Sequence, residues 1–320
     1  MNLYDLPLSE LKAYKPQQTK EQDFDSFWDA RIEESAGMPL NVSAEKRDYA
    51  VPGVEVYDLY FDGFRNSRIH ALYVKPLHTN AEAPAAVMFH GYNWNGFVPH
   101  HAFKYAVQGI PALLVDVRGQ NLLSPDSNTY ENGGSAGWMT LGIKNPDNYY
   151  YSHVYMDACR SVDVIRELSG KTAVIAEGGS QGGALTIAAA ALQKDLLLAC
   201  ADIPYLTDFR RSVELATEGP YNEIYHYFKV HDPLHQTEEL IYKTLSYVDC
   251  MNLASRISCP VMLGIGLEDN ICPPSTGFAL YYHLEGKKEI KVYPECAHGL
   301  SPLHEEEKLA FIASVLGETV

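Results

Sequence analysis

Ala173-Val-Ile-Ala-Glu-Gly-Gly-Ser-Gln-Gly-Gly-Ala-Leu-Thr-Ile-Ala-Ala-Ala-Ala-Leu192 decides the fold of this chain. Ala173 to Ala176 is a short apolar run with β-branched residues and reads as a buried strand. Gly178-Gly-Ser-Gln-Gly182 turns abruptly, and Ala184 to Leu192 is rich in helix formers without a breaker. Ser180 therefore stands in a G-x-S-x-G between strand and helix, the setting of a nucleophile elbow. A nucleophile on so tight a turn sits in a strained backbone conformation. Side chains at the flanking positions would keep strand and helix apart.

Outward from this stretch, buried strands alternate with helices. Val54 to Asp62 and Arg68 to Lys75 read as an antiparallel hairpin turning near Gly63 and Asn66. Pro84 to Phe89, Ile110 to Asp116, Leu196 to Ile203, Val261 to Leu267 and Glu289 to Tyr293 are further strands. Helices are expected over His101–Gln108, Ser152–Leu168, Ser275–Leu284 and His304–Leu316. The predicted fold class is α/β, with a mostly parallel central sheet covered by helices on both faces. Residues 1–17 look like an extended arm. Thr19 to Gln22 has capping-box spacing and opens a helix through Phe24, Phe27, Trp28 and Ile32, giving an N-terminal helical extension. Residues 205–256 show helical spacing and no strand, a helical insertion after the sixth strand. A Gly/Asn/Ser/Pro-rich loop runs to about Tyr149, long enough to serve a site or an interface. With no repeat and no linker, residues 1–320 are expected to form a single domain.

Composition excludes several function classes. The net charge of −16 repels phosphate backbones and anionic membranes, so no nucleic-acid or membrane partner is expected. The first residues lack a basic and then apolar leader, and no run reaches membrane-spanning length. Six cysteines are scattered without C-x-x-C spacing, as buried free thiols are, which fits a reducing, cytoplasmic location. No metal or cofactor is expected: H-E-x-x-H, a P-loop and G-x-G-x-x-G after the first strand are all missing.

A serine nucleophile needs a base, and the base needs an acid to orient it. In an α/β sheet such groups lie on loops at the carboxyl ends of strands. Asp269 follows the strand Val261–Leu267, with Glu268 beside it as a competing acid; Asp269 could also serve as a turn or cap residue. His298 follows the last strand in Pro294-Glu-Cys-Ala-His-Gly299. The order Ser180, Asp269, His298 is that of α/β-hydrolases. His90 reads as a support for its loop rather than a base. The oxyanion donors would be the backbone N–H of Gln181, at the start of the helix, and that of Tyr92 in His90-Gly-Tyr92.

With these residues placed, the chain resembles carbohydrate esterase family 7, the acetyl xylan esterase and cephalosporin C deacetylase group of the α/β-hydrolases. Asp116-Val-Arg-Gly-Gln120 carries the family's R-G-Q and Gly178-Gly-Ser-Gln-Gly182 its G-x-S-Q-G. Leu267-Glu-Asp-Asn-Ile-Cys-Pro-Pro-Ser275 matches the acid loop, and Tyr149-Tyr-Tyr151 and Thr244-Leu-Ser-Tyr247 match too. The resemblance implies a serine esterase that deacetylates xylo-oligosaccharides and cephalosporin C. It implies the triad Ser180, Asp269 and His298, the Tyr92 and Gln181 amides as oxyanion hole, and an acyl pocket of Tyr92, Phe209, Pro220 and Ile271. It also implies a doughnut-shaped hexamer, a trimer of dimers, with its sites facing an internal cavity. One motif departs: the family's His-Glu is His298-Gly299 here, which removes a carboxylate from the base loop. Glu295 or the Glu305–Glu307 run would be the substitutes. The rival readings are a peptidase of the prolyl-oligopeptidase type, which needs a gating domain this chain has no room for, and a catalytically silent scaffold.

Overall fold

Nine strands share one sheet in a computed structural model that describes residues 4–120, 123–131 and 136–319. They are β1 (Ser43–Lys46), β2 (Val54–Asp62), β3 (Arg68–Pro76), β4 (Ala85–Phe89), β5 (Ala112–Val115), β6 (Val174–Gly179), β7 (Leu198–Asp202), β8 (Val261–Gly266) and β9 (Lys288–Tyr293). The spatial order is β1-β2-β3-β5-β4-β6-β7-β8-β9. Pairing is antiparallel from β1 through β3 to β5 and parallel from there to β9. The elbow strand β6 thus lies inside the parallel part, between β4 and β7.

The side-chain alternation of these strands builds two apolar layers. Val87 and Phe89 of β4, Leu113 and Val115 of β5 and Val174 and Ala176 of β6 face one layer. Ala86, Met88, Leu114 and Ile175 face the other, with Phe311, Ile312 and Val315 of the last helix, Leu303–Thr319. Successive residues point to opposite faces, and both faces are covered, so these strands read as unbroken apolar runs. The first layer is closed by the long helix Tyr150–Ser169 and the elbow helix Gln181–Leu192. The long helix stops at Gly170, whose φ of 69° carries the chain out in the left-handed region.

Four expectations need correction. Strand β1 was invisible because Ser43-Ala-Glu-Lys46 is four residues long and exposed throughout, an edge strand with no apolar period. The helical insertion consequently follows the seventh strand; it comprises Phe209–Leu215, Tyr221–His231, Glu238–Val248 and Cys250–Leu253. Thr19 does not cap the N-terminal helix, which starts at Phe24; its hydroxyl and N–H pair instead with the Asn252 side chain, at 2.9 and 3.1 Å. A distant amide partner replaces the local one. The arm before it contains the short helix Leu8–Leu11, which inserts Leu11 beside Ile265, Leu267 and Phe278. The expected helix His101–Gln108 is a 3₁₀ turn, Pro99–Ala102, followed by one α turn, Phe103–Ala106. Residues 1–3 of the arm, and 121–122 and 132–135 of the long loop, lie outside the described residues.

Trp28 fixes the N-terminal helix in place. Its Nε1–H donates to the Tyr247 carbonyl at 3.0 Å, and its ring stacks on Tyr155. Among the described residues no helix is long and apolar enough to cross a membrane.

Candidate active site

Ser180 stands between β6 and the helix Gln181–Leu192 with φ 57° and ψ −120°, outside the regions that L-residues ordinarily occupy. Such a conformation costs on the order of 1–3 kcal/mol and persists only where its surroundings enforce it. Here the Ser180 N–H donates to the Asp202 carbonyl at 2.9 Å, while the Ser180 carbonyl accepts from the N–H groups of Ala184 and Tyr205. The glycines allow the approach. A Cβ on Gly182 would lie 2.0 Å from the Phe89 carbonyl oxygen, and one on Gly178 would lie 2.5 Å from the Gly182 backbone. Both obstacles are backbone and cannot yield like a flexible side chain. Gly182→Ala is therefore expected to destabilise the protein by about 3 kcal/mol or more, the upper range for overpacking, readable as a lowered denaturation midpoint.

The loops after β8 and β9 converge on Ser180. His298 Nε2 is 3.0 Å from Ser180 Oγ, and His298 Nδ1 is 2.9 Å from Asp269 Oδ2. Asp269 is fully buried, and its Oδ1 also accepts the N–H groups of Ile271 and Cys272, both at 2.9 Å. Those two bonds hold the carboxylate toward the imidazole. Glu268, the competing acid by sequence, instead gives its N–H to the Cys296 carbonyl, which ties the acid loop to the base loop.

His90 is built into the loop after β4. The Val117 N–H donates to His90 Nε2, which must carry a lone pair, so Nδ1–H donates to the Gly91 carbonyl at 2.7 Å. Burial lowers its pKa further, and the ring is held neutral as a loop support. The next residues pass over the elbow: a Cβ on Gly91 would lie 3.9 Å from Ser180 Cβ. Gln181 is the first residue of its helix, so its N–H has no intrahelical acceptor.

A cleft of about 490 Å³ opens in front of Ser180 and His298. Tyr92, Pro220 and Ile271 form part of its wall; Trp94, Phe97 and Glu305 form another part. Phe209 does not line it. That ring is in the core, edge-on to Tyr221 at 6.0 Å, because the Phe209 N–H is anchored on Asp249 at the start of its helix.

The acetyl xylan esterase (AXE1) family model matches residues 1–315. The chain belongs to the acetyl xylan esterase family. It is 43% identical to the structure of an acetyl xylan esterase from Paenibacillus sp. R4, with a TM-score of 0.92 over 97% of this chain and 99% of that one. It is 32% identical to acetyl xylan esterase 1 from Thermoanaerobacterium sp. JW/SL YS485, with a TM-score of 0.91 over the same shares. Acetyl esterase Axe7A of Xylanibacter ruminicola is 30% identical over 301 residues, 89% of this chain; the chain spans 65% of that relative's length. The fold is accordingly that of α/β-hydrolase esterases.

The acetyl xylan esterase motifs away from Ser180, Asp269 and His298 turn out to be braces. Arg118 is fully buried and grips Asp157 through two hydrogen bonds, at 2.5 and 2.6 Å, while also donating to the Phe64 carbonyl. Gln120 exchanges amide hydrogen bonds with Gln181 and accepts the Asn93 N–H at 2.9 Å. One side chain thus links the residue after Ser180 to the residue after Tyr92. Tyr151 adds a donor to Gln181 at 2.9 Å, and the Tyr150 hydroxyl donates to the Arg118 carbonyl.

Glu223 had no sequence signal, being one of many acids in the helical insertion. It is held by the Tyr92 hydroxyl and by the Met139 N–H at 3.0 Å, while the Trp138 N–H donates to the Tyr92 oxygen at 2.8 Å. Burial raises the pKa of both Glu223 and Tyr92; for Tyr92 the adjacent carboxylate adds to the rise. The insertion and the long loop thereby clamp the loop that passes over Ser180.

Behind the elbow lies a charged cluster. Glu177, one residue before Gly178, binds Lys104 and the Tyr105 hydroxyl. Asp202 binds His304 at 2.6 Å and Lys308 at 2.7 Å, and Lys308 also reaches Glu305 at 2.6 Å. Desolvation pushes the Glu177 carboxyl up, but Lys104 and Lys308 outweigh it and bring the pKa down to about 2. A depressed carboxyl stabilises the fold above its unfolded pKa and loses that contribution as pH falls through the folded one. Stability should therefore drop between about pH 4.5 and pH 2, on the order of a few kcal/mol. Thermal melts across that range check this, with Glu177→Gln flattening the acid limb.

Gly299 is exposed, and a Cβ there would meet open space, so the fold does not require glycine at the departed motif position. The suggested substitutes are elsewhere: Glu305 pairs with Lys104 and Lys308, Glu307 with Lys291, and Glu295 is exposed. The base loop rests instead on Gly266, where a Cβ would lie 2.4 Å from the Cys296 carbonyl oxygen.

Asp269, Cys272 and His298 bring three metal-ligating atoms within 4.8 Å of one another. Burial, and then Asp269, push the Cys272 thiol well up, so it stays protonated, and the other two donors are engaged with each other.

Proposed function

We propose that this chain is a serine carboxylesterase that releases acetate from small acetylated substrates, among them acetylated xylo-oligosaccharides and cephalosporin C. The observation that carries the reading is the unbroken hydrogen-bond chain Ser180–His298–Asp269, at 3.0 and 2.9 Å, at the mouth of a cleft. His298 takes the Ser180 hydroxyl proton as Oγ attacks the acetyl carbonyl, and Asp269 stabilises the imidazolium in its productive orientation. The carbonyl oxygen becomes an oxyanion accepting the Tyr92 and Gln181 N–H groups. One such donor is worth on the order of 10²–10³ in rate. When the tetrahedral intermediate collapses, the sugar oxygen leaves with the proton from His298, and the acetyl group stays on Ser180. Water, deprotonated by His298, then attacks the acetyl-enzyme and returns acetate and free Ser180.

Tyr92, Pro220 and Ile271 suit a small acyl group, with Phe209 contributing only from the core behind Tyr221. We read residues 1–320 as one α/β-hydrolase domain that assembles into a hexamer, a trimer of dimers, and works without a metal or cofactor. Six unpaired cysteines suit a cytoplasmic setting. The test is acetate release across a panel of acetylated xylose, xylobiose, cephalosporin C and a peptide anilide. Turnover of the anilide alone would overturn the reading.

A further inference from the structure

The cleft in front of Ser180 is lined by residues of two chemical kinds. One part is compact and aliphatic, Pro220 and Ile271, and Tyr92 lines the cleft with them. The large rings of Trp94 and Phe97 make up another part of the lining, and the Glu305 carboxylate lines the same cleft. An ester needs two such compartments, one for the acyl group and one for the alcohol that leaves, and only the first is suited by size and polarity to a methyl group.

The three tryptophans differ in a telling way. Trp28 is fully buried, and Trp138 packs edge-on against Tyr92 at 5.2 Å. Trp94 is 41% exposed at the cleft mouth. It is nevertheless well held: Phe97 meets it edge-on at 5.4 Å, His101 lies at 5.3 Å, and the loop-supporting His90 is 6.3 Å away. Aromatic neighbours have ordered the indole without covering it. Leaving that much of a large apolar ring in water forgoes burial energy, and a ligand with an apolar face recovers it. Glu305 is half exposed but fixed by Lys104 at 2.8 Å and Lys308 at 2.6 Å, so its carboxylate presents positioned acceptors in the same cleft. A pyranose has the matching form, with axial C–H groups on one face and hydroxyl donors around the edge.

We propose that Trp94, backed by Phe97 and bordered by Glu305, is the wall that receives the sugar ring of the substrate, with the ring stacked on the indole. This rests on the esterase reading and specifies its alcohol side. A larger groove of about 1170 Å³ shares Tyr92, Gly219 and Pro220 with the cleft, but neither Ser180 nor His298 lines it, so a sugar seated there is not presented to the nucleophile.

The test compares Trp94→Ala and Trp94→Phe with the wild type on two esters, acetylated xylobiose and ethyl acetate, whose leaving group has no ring. The expected result is a fall of about tenfold in the ratio of kcat/KM for the sugar ester to that for ethyl acetate in the alanine variant. It should be carried mainly by KM, with the phenylalanine variant between. Unacetylated xylobiose should also perturb tryptophan emission in the wild type and lose that effect in Trp94→Phe. An unchanged ratio, an equal loss on both esters, or a change of assembly state on gel filtration would overturn the proposal, the last marking Trp94 as a contact between copies. If the wild type cleaves ethyl acetate and the ratio does not move, the stacking wall fails alone. If the wild type cleaves neither ester, the esterase reading fails with it.

Discussion

Ser180→Ala is expected to lower acetate release by about 10⁴–10⁶-fold, the loss typical of removing the nucleophile from a working triad. Residual turnover would come from the oxyanion donors and from binding, which the substitution leaves in place. The Ser180 hydroxyl meets His298 Nε2 and the Cys272 thiol, while the elbow itself is held by backbone groups of Asp202, Ala184 and Tyr205. The melting temperature should accordingly stay close to that of the wild type, and competitive binding of a sugar should survive. Acetate release from acetylated xylobiose and a thermal melt on the same preparation check both points. Wild-type turnover in the alanine variant would place the chemistry on another residue.

Asp269→Asn should cost about 10⁴-fold in kcat while sparing the fold, and the reason is geometric. Asp269 Oδ1 accepts the Ile271 and Cys272 N–H groups, so an asparagine at this position keeps its oxygen there. Its Nδ2–H₂ then takes the place of Oδ2, the nearer acceptor at 2.9 Å from His298 Nδ1, while Oδ1, at 3.1 Å, is already shared with the two N–H groups. Two donors cannot share that contact, and the imidazole moves its proton to Nε2, the atom that must take the proton of Ser180. Asp269→Ala makes the contrast: it removes the acceptor of the turn as well, and stability should fall together with rate. Measuring kcat and unfolding midpoint for both variants separates the tautomer effect from the loss of the turn.

At low pH the charged cluster behind the elbow is expected to affect activity as well as stability. The cluster of Glu177, Asp202, Lys104 and Lys308 sits behind the elbow rather than in the triad, yet Asp202 also accepts the Ser180 N–H through its carbonyl. Acid conditions that protonate the cluster would loosen the support of Ser180. Melts and rates measured on the same samples show whether activity and stability fall together.

The alternation of buried strands and helices was legible because strands covered on both faces must be apolar throughout, and helices over them must repeat near every fourth residue. The elbow was legible because its glycines have no substitute at such backbone separations. Where the sequence misled, the partner was far away in the chain. Thr19 has capping-box spacing, but Asn252 is the amide it meets, and β1 is a strand only because β2 lies beside it. Local pattern cannot report on either.

By itself the sequence determined the parallel sheet, the tight turn that carries Ser180, and the chain order of Ser180, Asp269 and His298, since each is a matter of residue type at short spacing. Only the tertiary structure decided that Asp269 rather than Glu268 meets the imidazole, and that Gln120 joins the loop after β4 to the start of the elbow helix. It also revealed that Glu223 clamps Tyr92, and that Trp94 rather than Phe209 faces the cleft. Adjacent residues on a loop point in different directions, and aromatic rings far apart in sequence compete for the same core. Which of them is turned toward the site depends on the packing of the whole chain.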